Sequence, residues 1–326
     1  MSDIEAALDL GSSFISSACT KTGFIVKEPS VVALGPGGKT AAGIAAAKLA
    51  KSSGAKLVSP IVEGAVTDKD KAQALIKTVL GKVLPRNTFF SRTVVMCAVP
   101  CAMGKTEKQK IEYVLDTLSV KKVRFIEAPL AASAQIFNEF NADKGVICDM
   151  GSDKTDVAVI SGGEILSGCT LYHSGRQIDR EIAGFVDSKY NVRISEEEAE
   201  KVKRAAGSLY QNDLSAAEAQ GTNTFKGVAE TIEITARELY DLLAGIIGKY
   251  AQIIDSLLAS LPPEIAPAVK NQGIFLCGGL SNLSGIDKFL LEALKINVRI
   301  PSSPDTVCIK GALKMFKHGF ASATRK

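Results

Sequence analysis

Tryptophan is absent from the 326 residues, and histidine occurs only at His173 and His318. Two histidines exclude a histidine-rich metal site and leave a Ser-His-Asp triad almost nothing to draw on. A strong excess of one charge is also missing. Lys and Arg number 39 against 35 Asp and Glu, a net charge of +4, which does not supply the dense basic patch of a dedicated nucleic-acid binder. No run reaches the roughly 18 uninterrupted apolar residues of a membrane span. The longest helical stripe, 239–261, carries Asp241, Lys249 and Asp255 and reads as amphipathic. The opening residues Met1-Ser2-Asp3-Ile4-Glu5 lack the basic start and apolar run of a secretory signal, so a cytoplasmic location is expected. The seven cysteines are odd in number and irregularly spaced. Cys97 and Cys101 lie four apart with no second pair at zinc-site spacing. They read as free, buried thiols of a reducing compartment.

The chain is long enough for two domains. Its 46% hydrophobic and 23% charged residues suit a folded core and rule out disorder or a disulfide-stapled miniprotein. Residues 6–10 form an apolar strand with a single acid, Asp9, running into Gly11-Ser12-Ser13 and a second strand at 14–19. Residues 35–57 are rich in Gly, Ala and Lys and read as a small subdomain with a helix near 41–50. Asp68 caps a helix to about residue 83. Residues 93–99 are a buried strand, and the following helix puts Ile111, Val114, Leu115 and Leu118 on one face. A strand at 123–126 leads through Glu127-Ala128-Pro129 into a small-residue helix, proline suiting its first turn. The opening pattern then recurs. Leu8-Asp9-Leu10-Gly11-Ser12 and Cys148-Asp149-Met150-Gly151-Ser152 share one form, 140 residues apart. An internal duplication into two α/β halves accounts for this economically. Capping boxes at Ser195/Glu198 and Thr235/Glu238 open two further helices, Pro262-Pro263 stops the second, and a strand at 273–277 ends in Gly278-Gly279.

Small turn residues let backbone N–H groups approach phosphate oxygens. An Asp ending the preceding strand suits Mg²⁺ held through water, and a Gly-Gly opening a helix lets backbone lie against a nucleotide. With these residues in place the chain resembles the actin, heat-shock chaperone and sugar kinase superfamily. Leu8-Asp9-Leu10-Gly11 is similar to its first phosphate loop, Asp149-Met150-Gly151-Ser152-Asp153-Lys154-Thr155-Asp156 to its second, and Ile274-Phe275-Leu276-Cys277-Gly278-Gly279 to its adenosine motif. Ile126-Glu127-Ala128-Pro129 and Val307-Cys308-Ile309-Lys310-Gly311-Ala312 are similar to its two connecting helices. Within it, Glu28-Pro29-Ser30-Val31-Val32-Ala33 and the strings at 156–161 and 231–235 resemble the bacterial actins of the MreB and MamK type.

The resemblance implies an actin-like α/β fold of two duplicated domains around a nucleotide cleft, each with a small subdomain. Domain I would span 1–140, with its small subdomain at about 33–65, completed by 306–326. Domain II would span 141–305, with its small subdomain at about 180–235. The implied cofactors are ATP or ADP and Mg²⁺. Asp9 and Asp149 would place the metal and, with Thr155 and Glu127, form the catalytic set. Gly11, Ser12, Ser13, Gly151, Ser152, Asp153 and Lys154 would surround the phosphates, Gly278 and Gly279 would face the adenosine, and Glu200 and Lys203 would lie near the ribose and adenine. Four departures stand out. Asp153 replaces a usual Gly, Lys154 a usual Thr, Ala128 the usual Glu before the proline, and Leu280 a usual small residue. They leave three outcomes open, namely normal hydrolysis by another group such as Glu127, slow hydrolysis with binding kept, or no binding. Slow hydrolysis with binding kept is the favoured one, because Asp9, Asp149 and Gly278-Gly279 remain. The implied activity is a nucleotide-dependent, self-associating cytoskeletal filament that organises cell shape or an intracellular structure. The alternatives are a non-polymerising adaptor or pseudo-ATPase, and a small-molecule kinase, for which no insert supplies an acceptor site. Arg86-Asn87-Thr88-Phe89-Phe90-Ser91-Arg92 is the candidate membrane contact, its two aromatics set between arginines. The alternative there is that Phe89 and Phe90 cover the end of the sheet.

Overall fold

The run ahead of Asp9 becomes a strand because every second residue, and most of those between, is small or apolar enough to be buried on both faces. In a computed structural model, which describes residues 3–35, 40–86 and 92–318, it is β1 (Ile4–Leu10). The chain continues through β2 (Phe14–Cys19), β3 (Ile25–Pro29), β4 (Val32–Leu34), β5 (Thr40–Ala42), α1 (Ile44–Ser53), β6 (Leu57–Val58), β7 (Ile61–Val62), β8 (Ala65–Val66) and α2 (Lys69–Val83). β9 (Thr93–Val99), α3 (Lys105–Thr117), β10 (Lys122–Glu127) and α4 (Ala128–Phe140) follow, then β11 (Lys144–Met150), β12 (Thr155–Ser161) and β13 (Glu164–Leu171). The rest is α5 (Gly175–Tyr190), β14 (Val192–Arg193), α6 (Glu196–Ala206), β15 (Ala216–Asn223), β16 (Ala229–Thr235), α7 (Ala236–Ala259), α8 (Ala266–Gln272), β17 (Ile274–Cys277), α9 (Ile286–Leu294), β18 (Val298–Arg299) and α10 (Val307–His318).

Two compact units are formed, Met1–Asp149 with Asp156–Thr170 and Asp305–Lys326, and Met150–Thr155 with Leu171–Pro304. Residues 141–149 and 156–170 therefore group with the first unit, whereas a division at the repeat puts them in the second half. In the first unit a sheet of order β10-β9-β1-β2-β3 pairs β1 in parallel with β9 and antiparallel with β2, Leu10 opposite Ile15 and Asp9 opposite Ser16. Leu8, Ile15, Val95 and Cys97 of this sheet are buried with Leu75, Ile76, Val79 and Leu80 of α2 and with Ile111 and Leu115 of α3. Truncating one such leucine to alanine costs about 2–5 kcal/mol. α10 crosses α4 so closely that a Cβ at Gly311 would stand 2.6 Å from the Ala131 carbonyl carbon. The meander of β1, β2 and β3 recurs as β11, β12 and β13, and each is accompanied by a parallel pair, β9 with β10 and β17 with β18. The duplication read from the two Asp-apolar-Gly-Ser strings is thus a repeat of strand order.

The second unit is organised by α7, whose length and apolar composition would allow it to cross a membrane. Its Leu239, Leu243, Ile246, Ile247, Ile254 and Leu258 are instead buried against the unit, and the Tyr250 hydroxyl donates to the His173 carbonyl, so it is a core helix. Its start is fixed by Glu238, which accepts from the Thr235 N–H at 2.8 Å, the Thr235 hydroxyl at 2.7 Å and the Tyr190 hydroxyl at 2.5 Å, and pairs with Lys189. Burial alone would raise this carboxyl, but the Lys189, Tyr190 and Thr235 donors hold it down at about 2. A depressed carboxyl contributes stability that is full above its unfolded value, ordinarily about 4.5, and is lost as the pH falls from there through about 2. The melting temperature of the wild type is expected to fall more steeply across that window than that of Glu238→Gln, which starts about 1 kcal/mol less stable at neutral pH. Parallel acid profiles of the two proteins would show that the cap contributes nothing.

Candidate functional site

The predicted site residues fall on both units. In the first, Asp9 is the half-buried second-last residue of an otherwise well-buried β1, and Asp149 holds the same place in β11. The turn after Asp9 is tied down through its carbonyls. The Ser30 hydroxyl donates to Gly11 O at 2.5 Å, the Ser59 hydroxyl to Ser12 O at 3.3 Å, and the Ser30 N–H to Ser13 O at 2.9 Å. Glu127 ends β10 opposite Val99 and stands at the N-cap of α4. Ala128 opens that helix and is only 3% exposed. Asp156 is buried and accepts from the Cys101 N–H at 3.1 Å and the Thr170 hydroxyl at 2.5 Å. It joins the β9–α3 connection to β13. Cys97 and Cys148 are buried and their thiols pushed up by burial, as expected of inert core cysteines. Cys101 and Cys169 are only half-buried.

In the second unit the turn 151–155 is closed by the Gly151 N–H on Lys154 O at 2.9 Å. Its carbonyls are held by the start of α5. The Ser174 hydroxyl donates to Gly151 O at 2.6 Å, and the Gly175 and Arg176 N–H groups donate to Gly151 O and Ser152 O at 3.3 and 2.6 Å. Thr155 is buried with its hydroxyl 3.0 Å from that of Ser174. The Asp153 side chain is 6% exposed and its carboxylate lies 3.3 Å from the Arg176 guanidinium. Lys203 of α6 donates to Gly175 O at 2.8 Å and pairs with Asp179 at 2.7 Å, pinning α6 to α5. Burial raises the Asp179 carboxyl and Lys203 pulls it back. Glu200 pairs with Arg204 one turn on, at 2.6 Å. Gly278 follows β17 with its N–H on Pro304 O at 2.9 Å and its carbonyl accepting from the Ser281 hydroxyl at 2.7 Å. A Cβ there would sit 2.7 Å from the Met150 carbonyl carbon, so the Gly-Gly motif abuts the strand end that leads into the second turn. Gly279 is exposed and Leu280 buried beneath it.

Each glycine that follows an Asp-apolar pair thus gives its carbonyl to a serine hydroxyl, Gly11 to Ser30 and Gly151 to Ser174. Both turns have carbonyls tied to neighbouring elements, while in the second the Gly151 N–H is also taken up within the turn by Lys154 O. Sequence reasoning missed Ser30, Ser174 and Arg176 as members of these sites. The signal for the last two was the stripe Ile178, Ile182 and Val186, which marks α5 and hence the helix start that grips the turn. Among the described residues no group of three or more His, Cys, Asp or Glu is placed to hold a metal on its own. Isolated carboxylates at strand ends do suit Mg²⁺, which keeps waters and takes its remaining ligands from phosphates. Phe89 and Phe90 lie outside the described residues.

The family model described as MreB/Mbl protein matches residues 3–323. The chain belongs to the MreB/Mbl family. Among curated relatives, the cell shape-determining protein Mbl of Bacillus cereus is 27% identical over 306 residues, 92% of each chain. Among solved structures, MreB5 of Spiroplasma citri bound to AMPPNP superposes with a TM-score of 0.88 at 25% identity, covering 98% of this chain and 97% of that one. A MamK double helical filament gives a TM-score of 0.81 at 18% identity, covering 96% and 98%. The actin-like fold expected from the family resemblance is thereby shown, and the MreB/Mbl match extends beyond the motifs to the weakly specified stretch at 35–57.

Proposed function

We propose that this MreB/Mbl chain binds ATP or ADP with Mg²⁺, assembles head to tail into cytoskeletal filaments, and hydrolyses its nucleotide slowly. The observation that carries the reading is the matched locking of the two Gly-Ser turns by Ser30 and Ser174. A turn whose carbonyls are tied off is held in one shape, and its remaining N–H groups can then meet phosphate oxygens with little rearrangement. In this reading Gly11, Ser12 and Ser13 and residues 151–154 take the phosphates, Asp9 and Asp149 place Mg²⁺ and its waters, and Gly278 and Gly279 face the adenosine. Bound Mg²⁺ would neutralise charge on the phosphates. Support comes from the AMPPNP-bound Spiroplasma neighbour and from the MamK filament, since a head-to-tail contact that does not close on itself propagates as a fibre. A second reading, a non-polymerising adaptor with a silent nucleotide site, is favoured by Ala128, Asp153 and Lys154.

Sedimentation and electron microscopy of the purified chain at micromolar concentration, with ATP, with ADP and without nucleotide, separate the two. Filaments are expected, with the yield dependent on nucleotide. A monomer under all salt and nucleotide conditions would leave the adaptor reading. The same assay over anionic liposomes tests the membrane contact proposed for Phe89 and Phe90. Replacing both by Ser is expected to lower co-sedimentation, and unchanged binding would assign them to covering the sheet end.

A further inference from the structure

The carboxylate of Asp153 is out of place for a phosphate turn. The side chain is almost fully buried, it sits between Ser152 and Lys154, and in the nucleotide reading it adds a like charge to the turn that takes the phosphates, in a poorly solvated setting. The structure supplies the remedy on the neighbouring helix. Arg176, in the first turn of α5, holds the Ser152 carbonyl with its N–H at 2.6 Å and sets its guanidinium 3.3 Å from the Asp153 carboxylate. One turn further along α5, Arg180 also feels the Asp153 charge, although its guanidinium is engaged by Glu196 at 2.8 Å. The Arg176 side chain keeps about a third of its surface in solvent.

We propose that Arg176 is a positioning residue for nucleotide binding, its guanidinium neutralising and anchoring Asp153 so that the second turn accepts phosphates although it carries a carboxylate. The inference rests on the nucleotide reading above. The backbone latch and the side-chain ion pair are separable, because the Arg176 N–H survives any substitution at that position except proline. Removing only the guanidinium leaves the turn held by Ser174, Gly175 and the Arg176 amide, but takes the Arg176 countercharge from a buried carboxylate in the phosphate-binding turn.

The test is calorimetric titration of Mg²⁺-ADP into the wild type, Arg176→Met, Arg176→Lys, Asp153→Asn and the Asp153→Asn/Arg176→Met double variant, with a thermal melt of each. Arg176→Met is expected to weaken binding about tenfold or more, a difference of about 1.4 kcal/mol. Arg176→Lys should recover part of that, and the double variant most of it, because with no charge at 153 the guanidinium has nothing to neutralise. A purely structural role for Arg176 would not be repaired by Asp153→Asn. Binding by Arg176→Met as tight as the wild type overturns the inference, and so does a double variant no better than Arg176→Met. Should Arg176→Met fail to fold, the Arg176→Lys and double-variant arms carry the comparison. Wild-type protein that binds no nucleotide removes the underlying reading, and this inference with it, and is distinguished by the first titration alone.

Discussion

Replacing Gly278 by alanine is expected to destabilise the protein by about 3 kcal/mol or more and to abolish nucleotide binding, while the same change at its neighbour Gly279 is nearly silent. Gly278 has φ 80° and ψ 171°, a region populated essentially by glycine, and a side chain there costs about 1–3 kcal/mol before any contact is counted. The new methyl group would also stand 2.7 Å from the carbonyl carbon of Met150 and closer still to its oxygen. Backbone at the end of β11 cannot swing aside as a side chain can, so the strand end must shift, at a further cost of about 1–3 kcal/mol. That shift reaches the turn at 151–155, because Gly151 follows directly. At Gly279 nothing lies within 4 Å of the added atom, and alanine there is expected to cost under about 1 kcal/mol. Thermal melts of the two variants, with and without Mg²⁺-ADP, make the comparison. For a unit of this size the Gly278 variant should melt roughly 10 °C lower. Equal melting temperatures for the two variants would mean that the approach of residue 278 to Met150 does not constrain the fold.

Much of this architecture is legible in the sequence because burial writes itself there directly. β2 and β9 begin and end where the alternation of apolar and turn residues places them, and the Asp68 carboxylate caps α2 through the Lys71 N–H at 3.0 Å. The Thr235/Glu238 pair forms a capping box, whereas Glu198 departs from the expected one. The Ser195 hydroxyl does accept from the Glu198 N–H at 3.1 Å, but the Glu198 carboxylate turns to the Gln220 N–H of β15, also at 3.1 Å. A local motif gave way to a contact 22 residues away, which no window of the sequence contains. The site shows the same division. The strand-end acids and small turns are local and visible. Their support is made of hydrogen bonds spanning about two dozen residues or fewer, from the Ser30 and Ser174 hydroxyls and the Arg176 backbone N–H, groups of types common on any surface. Asp153 illustrates the consequence. From sequence its charge is a burden on phosphate binding that Lys154 is the obvious candidate to relieve. The structure shows Arg176 at 3.3 Å, on a helix the sequence reading did not delineate.

Hydrolysis should be slow in this chain and should respond to a single residue at the start of α4. By its resemblance to the superfamily, the residue before Pro129 is the one that helps to orient the attacking water, and here it is Ala128, which can neither accept a proton nor hold a water. Glu127 is one position early. It ends β10 and stands at the N-cap of α4, one position ahead of the place where the superfamily carries its Glu, and its carboxylate is expected not to replace the missing one. A positioned general base is worth about 10²–10⁴-fold in rate. Ala128→Glu is therefore expected to raise phosphate release from ATP by at least about tenfold. It falls short of the full factor because residue 128 is only 3% exposed, and burial disfavours the ionised form that a base requires. Glu127→Gln should leave the slow wild-type rate within about a factor of two, given that a group not positioned on the water contributes little. Adding Asp153→Gly/Lys154→Thr to Ala128→Glu asks whether the turn itself is rate-limiting, and the Asp153–Arg176 ion pair predicts little further gain, since that charge is already compensated. The measurement is single-turnover phosphate release beside ADP affinity and a melt for each variant, so that a folding defect in Ala128→Glu is seen as such. Loss of the residual rate in Glu127→Gln would make Glu127 the working base and sink the account. No gain from a folded, nucleotide-binding Ala128→Glu would sink it as well, because a barrier that ignores a restored carboxylate is not set by the water that carboxylate orients.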